Sequence, residues 1–252
     1  MGHQESNSIS AFVLYLASSS YVKQDGNFTS SGTGYIGSDI VNINGLSTNM
    51  TFGIVDKIPY QYSDVPINGS FGLHLSASKN NITSAAKQIV EKLDKPVITV
   101  FQNRTLAGNG HAQLTFGSED SIYCEKNSGY VPILNTDYRN SFAYQFHLST
   151  ASATVDNSEI SVELNSTVYT DFGGDDIWFT LNIGEKGNTK ELVLTGADYI
   201  EYDQAFRACY LTAQSSPDIG AHLFLGRSFL KNHCFTYNVN EKTIAFSKAK
   251  NI

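Results

Sequence analysis

Short runs of β-branched and aromatic residues recur along the chain, each broken by clusters of Gly, Asn, Ser and Asp. They cover residues 12–16, 35–43, 50–55, 97–102, 112–116, 142–148, 160–164, 177–182 and 191–195. Runs of this length and composition predict strands rather than helices. One segment departs from the pattern. Ala86, Ile89, Val90 and Leu93 are spaced for a single helical face, Thr83 or Ser84 stands ready as N-cap, and Pro96 follows the end. Towards the C-terminus, residues 234–239 and 243–247 flank the polar turn Asn240-Glu241-Lys242 and predict a β-hairpin. The expectation is a mainly β protein with one or two short helices. At 252 residues it is long enough for one large all-β domain or two small ones.

Charge and composition narrow the partners. A net charge of -7 without any run of Lys or Arg offers no basic face to nucleic acid or to an anionic membrane surface. The longest apolar run, 12–17, is too short to span a bilayer. Met1-Gly2-His3 has neither the charged nor the apolar region of a signal peptide and reads as a remnant of expression ahead of a mature chain. Sequons at Asn27, Asn49, Asn68, Asn81, Asn103 and Asn165 fit a secreted glycoprotein, although a chain so rich in Asn, Ser and Thr generates such triplets by chance. Cys124, Cys209 and Cys234 show no CxxC or Cys/His spacing, which argues against zinc. Their odd number allows one disulfide and one leftover thiol, or three reduced cysteines.

Several short motifs match familiar chemistry only in form. Gly32-Thr33-Gly34-Tyr35-Ile36-Gly37 fits GxGxxG, but a strand-like run follows it where a dinucleotide site needs a helix. It reads as a glycine-rich hairpin. Asp171-Phe172-Gly173 matches the magnesium triplet of protein kinases, yet neither the catalytic loop nor the lysine strand of a kinase is present. The six histidines lack HxH or HExxH spacing, and there is no GxSxG elbow. Asp171, Asp175 and Asp176 lack the alternating ligands and closing glutamate of a calcium loop and read as solvated turn residues. No cofactor or metal is expected.

Longer stretches carry a family resemblance. LFLGRSFLKNHCFTYNVNEKTIAFSKA, residues 223–249, resembles the closing segment of pepsin-like aspartic proteases, with its Leu-Gly pair, hairpin and final strand. GNGHAQLTFGSEDSIYCEKNSGYVPI, residues 108–133, is similar to the strands that open that family's C-terminal lobe. SSSYVKQDGNFTSSGTGYIGSDIVNINGL, residues 18–46, resembles its Ser-Ser-x-Tyr segment, flap and following strand, and VPINGSFGLHLS, residues 65–76, its DGILGLA element. The helix and KPVITVFQ resemble the run into the interlobe strand. The resemblance covers most of the chain and is strongest to the nematode branch.

It implies a reduced bilobal pepsin-like fold, with a truncated N-terminal lobe over 1–105 and a C-terminal lobe with an internal deletion over 106–252. It also implies a Cys124–Cys234 disulfide and an unpaired Cys209, the segment carrying its usual partner being missing.

The departures from the family pattern bear on function. Pepsin-type catalysis uses two aspartates, one from each lobe, sharing a proton so that one acts as base and the other as acid towards water. Leu16 stands where the first Asp-Thr-Gly should begin, and the chain runs at once into Ser18-Ser19. Ser31 stands at the flap tyrosine, and Asn68 replaces the aspartate of the DGILGLA element. Asp171-Phe172-Gly173 is the candidate for the second motif, with Phe in place of the bracing Thr. The resemblance therefore implies a non-catalytic, secreted binding protein whose partner is an unknown protein or a small apolar ligand. Two alternatives stand beside it: a homodimeric endopeptidase with Asp171 from each chain, and a decoy for aspartic-protease inhibitors.

Overall fold

The computed structural model describes residues 18–29, 32–43, 45–57, 69, 71–73, 82–103, 111–134, 144–155, 158–170, 180–185, 187–195, 198, 200–203, 207–211, 223–225 and 227–250. These residues form a mainly β protein with two compact units, Met1–Lys92 and Leu93–Ile252. The strand that begins at residue 97 is hydrogen-bonded on both sides to strands of the second unit.

The first unit contains an antiparallel sheet of β1 (Val22–Thr29), β2 (Thr33–Ile43) and β3 (Leu46–Lys57), in that order, and the helix α1 (Ala85–Val90). Gly32–Gly37 thus enters a hairpin strand, not a nucleotide-binding turn. The glycines here serve close approach. A Cβ on Gly34 would drive into the Ile54 carbonyl across the ladder, and one on Gly53 would drive into the Phe28 ring lying over it. The open edge at β1 is exposed almost throughout, carries Lys23 and Asp25, and has its register broken between Lys23 and Asn27. Charges and a bulge on an edge discourage pairing with another chain.

Helix α1 packs along β3 and buries Ala86, Ile89 and Val90, as its spacing predicts. Of the two N-cap candidates the structure uses Ser84, whose Oγ accepts from Lys87 N at 3.2 Å. Gln88 closes part of the other sheet edge. Its Oε1 accepts from Thr51 N at 2.9 Å, while its Nε2 donates to Thr51 O at 3.0 Å and Thr83 O at 2.7 Å. One side-chain amide thereby replaces a missing neighbouring strand at Thr51.

The second unit adds β4 (Val97–Asn103), β5 (His111–Phe116), β6 (Val131–Pro132), β7 (Tyr144–Val155), β8 (Ser158–Thr170), β9 (Thr180–Ile183), β10 (Lys190–Leu192), β11 (Ile200–Asp203), β12 (Ala208–Leu211), β13 (Leu223–Leu225), the helical turn α2 (Arg227–Leu230), β14 (His233–Asn238) and β15 (Thr243–Lys248). They form two five-stranded sheets, ordered β5-β4-β14-β15-β6 and β10-β9-β7-β8-β13, and the hairpin β11-β12. The C-terminal hairpin is β14-β15, with Lys242 held at φ 52° in its turn. The expected strand at 12–16 lies outside the described residues.

Alternation along β14 sets up two different faces. Phe235 and Tyr237 point one way into an aromatic core with Tyr144, whose ring centroid lies 4.9 and 5.1 Å from theirs. Phe146, Phe229 and Phe246 extend that core, with centroids 5.4–5.5 Å apart. Cys234 and Thr236 point the other way. There Cys234 is bonded to Cys124, with Cα atoms 5.9 Å apart, and Thr236 meets Thr99 at 3.1 Å. Phe101 packs against the disulfide, and Tyr123 stacks on Phe101 at 4.8 Å.

Candidate functional site

Leu16, Ser31 and Asp171, the residues at the expected catalytic and flap positions, lie outside the described residues, as do Asn68 and Asn81. The structure does show what flanks two of the three. On the N-terminal side, Ser18 Oγ donates to Asp39 Oδ1 at 3.0 Å, Ser20 Oγ donates to the same oxygen, and Ile40 N adds a third bond at 2.7 Å. These bonds, that from Ser20 foremost, hold the Asp39 carboxyl below its usual range. A carboxylate engaged in this way anchors the Ser-Ser-x-Tyr segment to β2 and is a poor proton donor.

On the C-terminal side, β8 runs parallel to β13, with Val168 opposite Leu223, Tyr169 opposite Phe224 and Thr170 opposite Leu225. The residue before Asp171 is therefore paired with the residue before Gly226. The strand that leads into Asp171 and the strand that leads into the Leu-Gly pair end side by side.

Two other carboxylates, unlike Asp39, are buried, and each is engaged by donors inside the second unit. Asp120 Oδ1 accepts from Ile122 N and Tyr123 N at 2.8 and 2.9 Å, and its Oδ2 accepts from Gln113 Nε2 and Thr115 Oγ1, both at 3.1 Å. This fixes the segment that presents Cys124 to Cys234. Asp198, 2% exposed, accepts from Thr195 N at 2.6 Å, Thr195 Oγ1 at 2.8 Å and Asn232 Nδ2 at 2.9 Å.

His233 Nδ1 is 3.5 Å from Asp198 Oδ1 and 3.1 Å from the Phe229 carbonyl, which it can reach as donor, while its ring stacks on Phe229 at 4.2 Å. Burial lowers its pKa, against the opposing pull of Asp198, so the imidazole is neutral at neutral pH. An Asp–His pair sealed this deeply is inaccessible to a substrate and serves to join the 195–198 turn to β14. Sequence reasoning had no signal for it, since thirty-four residues separate Asp198 from Asn232. Among the described residues no group of three His, Cys, Asp or Glu side chains is placed to hold a metal.

Of the sequons, Asn27 and Asn49 are exposed on β1 and β3, while Asn103 and Asn165 fall in β4 and β8. Cys209 lies in β12 opposite Tyr202.

Comparison with known proteins agrees with this arrangement. The family model described as eukaryotic aspartyl protease matches residues 15–175, a span that includes the Ser18–Asp39 anchor and ends just past Asp171. Aspartic protease 17 of Caenorhabditis elegans is 25% identical over 249 residues, covering 86% of this chain and 64% of the relative. Aspartic protease 1 of the same organism is 23% identical over 271 residues, covering 92% of this chain and 68% of the relative. The chain thus spans about two thirds of the length of these curated relatives. With a family model that matches more than half of its length and a mainly β structure, the chain belongs to the eukaryotic aspartyl protease family.

Proposed function

We propose that this family member is a secreted, non-proteolytic protein that binds a protein or small apolar ligand through what remains of its cleft. The observation that carries the reading is the anchoring of Ser18 and Ser20 on Asp39. It supports the placement of the Ser-Ser-x-Tyr segment, and hence the alignment in which Leu16 occupies the position of the first catalytic aspartate. A lone Asp171 cannot act as base and acid at once. Phe172 also removes the hydroxyl that would brace such a loop. The buried Cys124–Cys234 disulfide fits an oxidising, extracellular setting.

The test is an assay of unfolded protein substrate at acid pH. No cleavage is expected, and cleavage abolished by Asp171→Ala would overturn the reading in favour of an endopeptidase built from two chains. The side-by-side pairing of β8 and β13 is the observation that favours that second reading, because Thr170 and Leu225, the residues ahead of Asp171 and Gly226 in the chain, are partners. Retention on an immobilised pepsin inhibitor would instead support the decoy role.

A further inference from the structure

The three-stranded sheet of the first unit leaves apolar side chains facing solvent. Ile40 is 60% exposed and Val22 58% exposed, the two largest values for apolar residues of this sheet. They share a face. Val22 pairs with Ser38, and Ser38 and Ile40 lie two positions apart on β2, so their side chains emerge on the same side. The partner of Ile40 across the β2–β3 ladder is Asn49, the first residue of the sequon Asn49-Met50-Thr51.

The register fixes how near these two side chains are. The N–H and C=O of Thr51 point out of the sheet to Gln88, so Thr51 and Ser38 form a non-hydrogen-bonded pair. Two residues along an unbroken ladder the same type of pair recurs, at Asn49 and Ile40. In such pairs the Cβ atoms lie about 4.5–5.5 Å apart. A sugar on Asn49 Nδ2 would start directly beside the Ile40 side chain. Asn27, the other sequon exposed among the described residues, pairs with Tyr35, on the opposite face of β2 from Ile40.

We propose that Asn49 carries an N-linked glycan whose first sugars cover Ile40 and Val22, making this face a shielded surface and not the ligand-binding one. The inference rests on the secreted reading above and narrows it. The modification must precede folding. Met50 is buried, and the Thr51 backbone is bonded to Gln88 in the finished sheet, so the extended sequon that a glycosyl transferase needs is no longer available.

The experiment is to pass the full chain through a eukaryotic secretory pathway and map occupied sequons by glycopeptide mass spectrometry. Asn49 is expected to be occupied. Asn49→Gln and Thr51→Ala, which remove the same sequon differently, should both lose monomer on size-exclusion chromatography. Trimming the glycan from folded protein with an endoglycosidase should do the same without any substitution. Adding Ile40→Ser to Asn49→Gln should restore monomer, and Asn27→Gln should leave it unchanged.

A chain glycosylated elsewhere but bare at Asn49 would overturn the inference while leaving the secreted reading intact. Occupied Asn49 with fully monomeric variants and trimmed protein would overturn the shielding role. A chain without any glycan would overturn the inference and the glycoprotein reading together.

Discussion

The three-stranded sheet β1-β2-β3 and the five-stranded sheet β5-β4-β14-β15-β6 are held together by different means. The β1-β2-β3 sheet has few buried apolar side chains of its own, chiefly Met50, and borrows Ala86, Ile89 and Val90 from α1. Its cohesion comes from the backbone ladder and from polar clamps at its margins, Ser18 and Ser20 on Asp39 and Gln88 on Thr51. The β5-β4-β14-β15-β6 sheet is buried on both faces of its central hairpin, by aromatic rings on one side and by the disulfide with the Asp120 network on the other. The contrast teaches that one β-rich chain can be stabilised locally by satisfying polar groups or by burying surface. The two parts should therefore respond differently to the same perturbation.

The largest difference should come from the second sheet. Removing the disulfide by Cys124→Ala frees a loop of 110 residues in the unfolded chain, worth roughly 4–5 kcal/mol in the chain-entropy view. The urea midpoint should fall accordingly, and thiol counting on denatured, unreduced wild-type protein should find Cys124 and Cys234 blocked. Three free thiols would remove the basis of the comparison. Phe235→Ala, at a fully buried ring in van der Waals reach of Tyr144, should cost about 3–5 kcal/mol through lost burial and the cavity left behind.

In the first sheet the sensitive atoms belong to the backbone. Gly34→Ala would push a methyl group into the Ile54 carbonyl and should cost about 1–3 kcal/mol, a loss that no surrounding side chain can relieve. Gln88→Ala should cost only about 1 kcal/mol, since water can reach part of the freed edge. Its signature is faster amide exchange at Thr51 with little change elsewhere; an unchanged rate there would show that the amide clamp contributes nothing.

Acid should separate the two parts by pH. The folded-state pKa of His233 lies below its ordinary 6.5, mainly through burial, so the unfolded chain binds a proton that the folded chain resists. Its contribution is fully present above about 6.5 and is lost as the pH falls towards the lowered folded value. Asp39 is also lowered, chiefly by Ser20, but from an ordinary 3.8. Its contribution is present above 3.8 and fades as the pH drops through the folded value. Unfolding followed against pH should weaken the second unit first; His233→Gln should flatten that early loss, while Asp39→Asn should lower stability above 3.8 and flatten only the slope below it.

How much of this was legible beforehand varies with the physics of each element. Helix α1 was readable from the spacing of Ala86, Ile89 and Val90, although the choice of Ser84 over Thr83 as cap was not. Strands β2, β3, β4, β5, β7, β8 and the β14-β15 hairpin follow runs of β-branched and aromatic residues. Strand β1, with Lys23, Gln24, Asp25, Gly26 and Asn27 at its centre, carries no such run; it exists because β2 offers it a partner. The strands β6, β11, β12 and β13 went unread for another reason: at two to four residues each, they are too short for a run to stand out.

The sequence by itself determined the class of the fold, its family and the turn chemistry, because apolar alternation, caps and glycines act over a few neighbouring residues. Long-range partners were decided only in the tertiary structure. Asp198 with Asn232 and His233, Gln88 with Thr51, and Asn49 with Ile40 are pairings set by register and packing, and local sequence holds no energy term that distinguishes one distant partner from another.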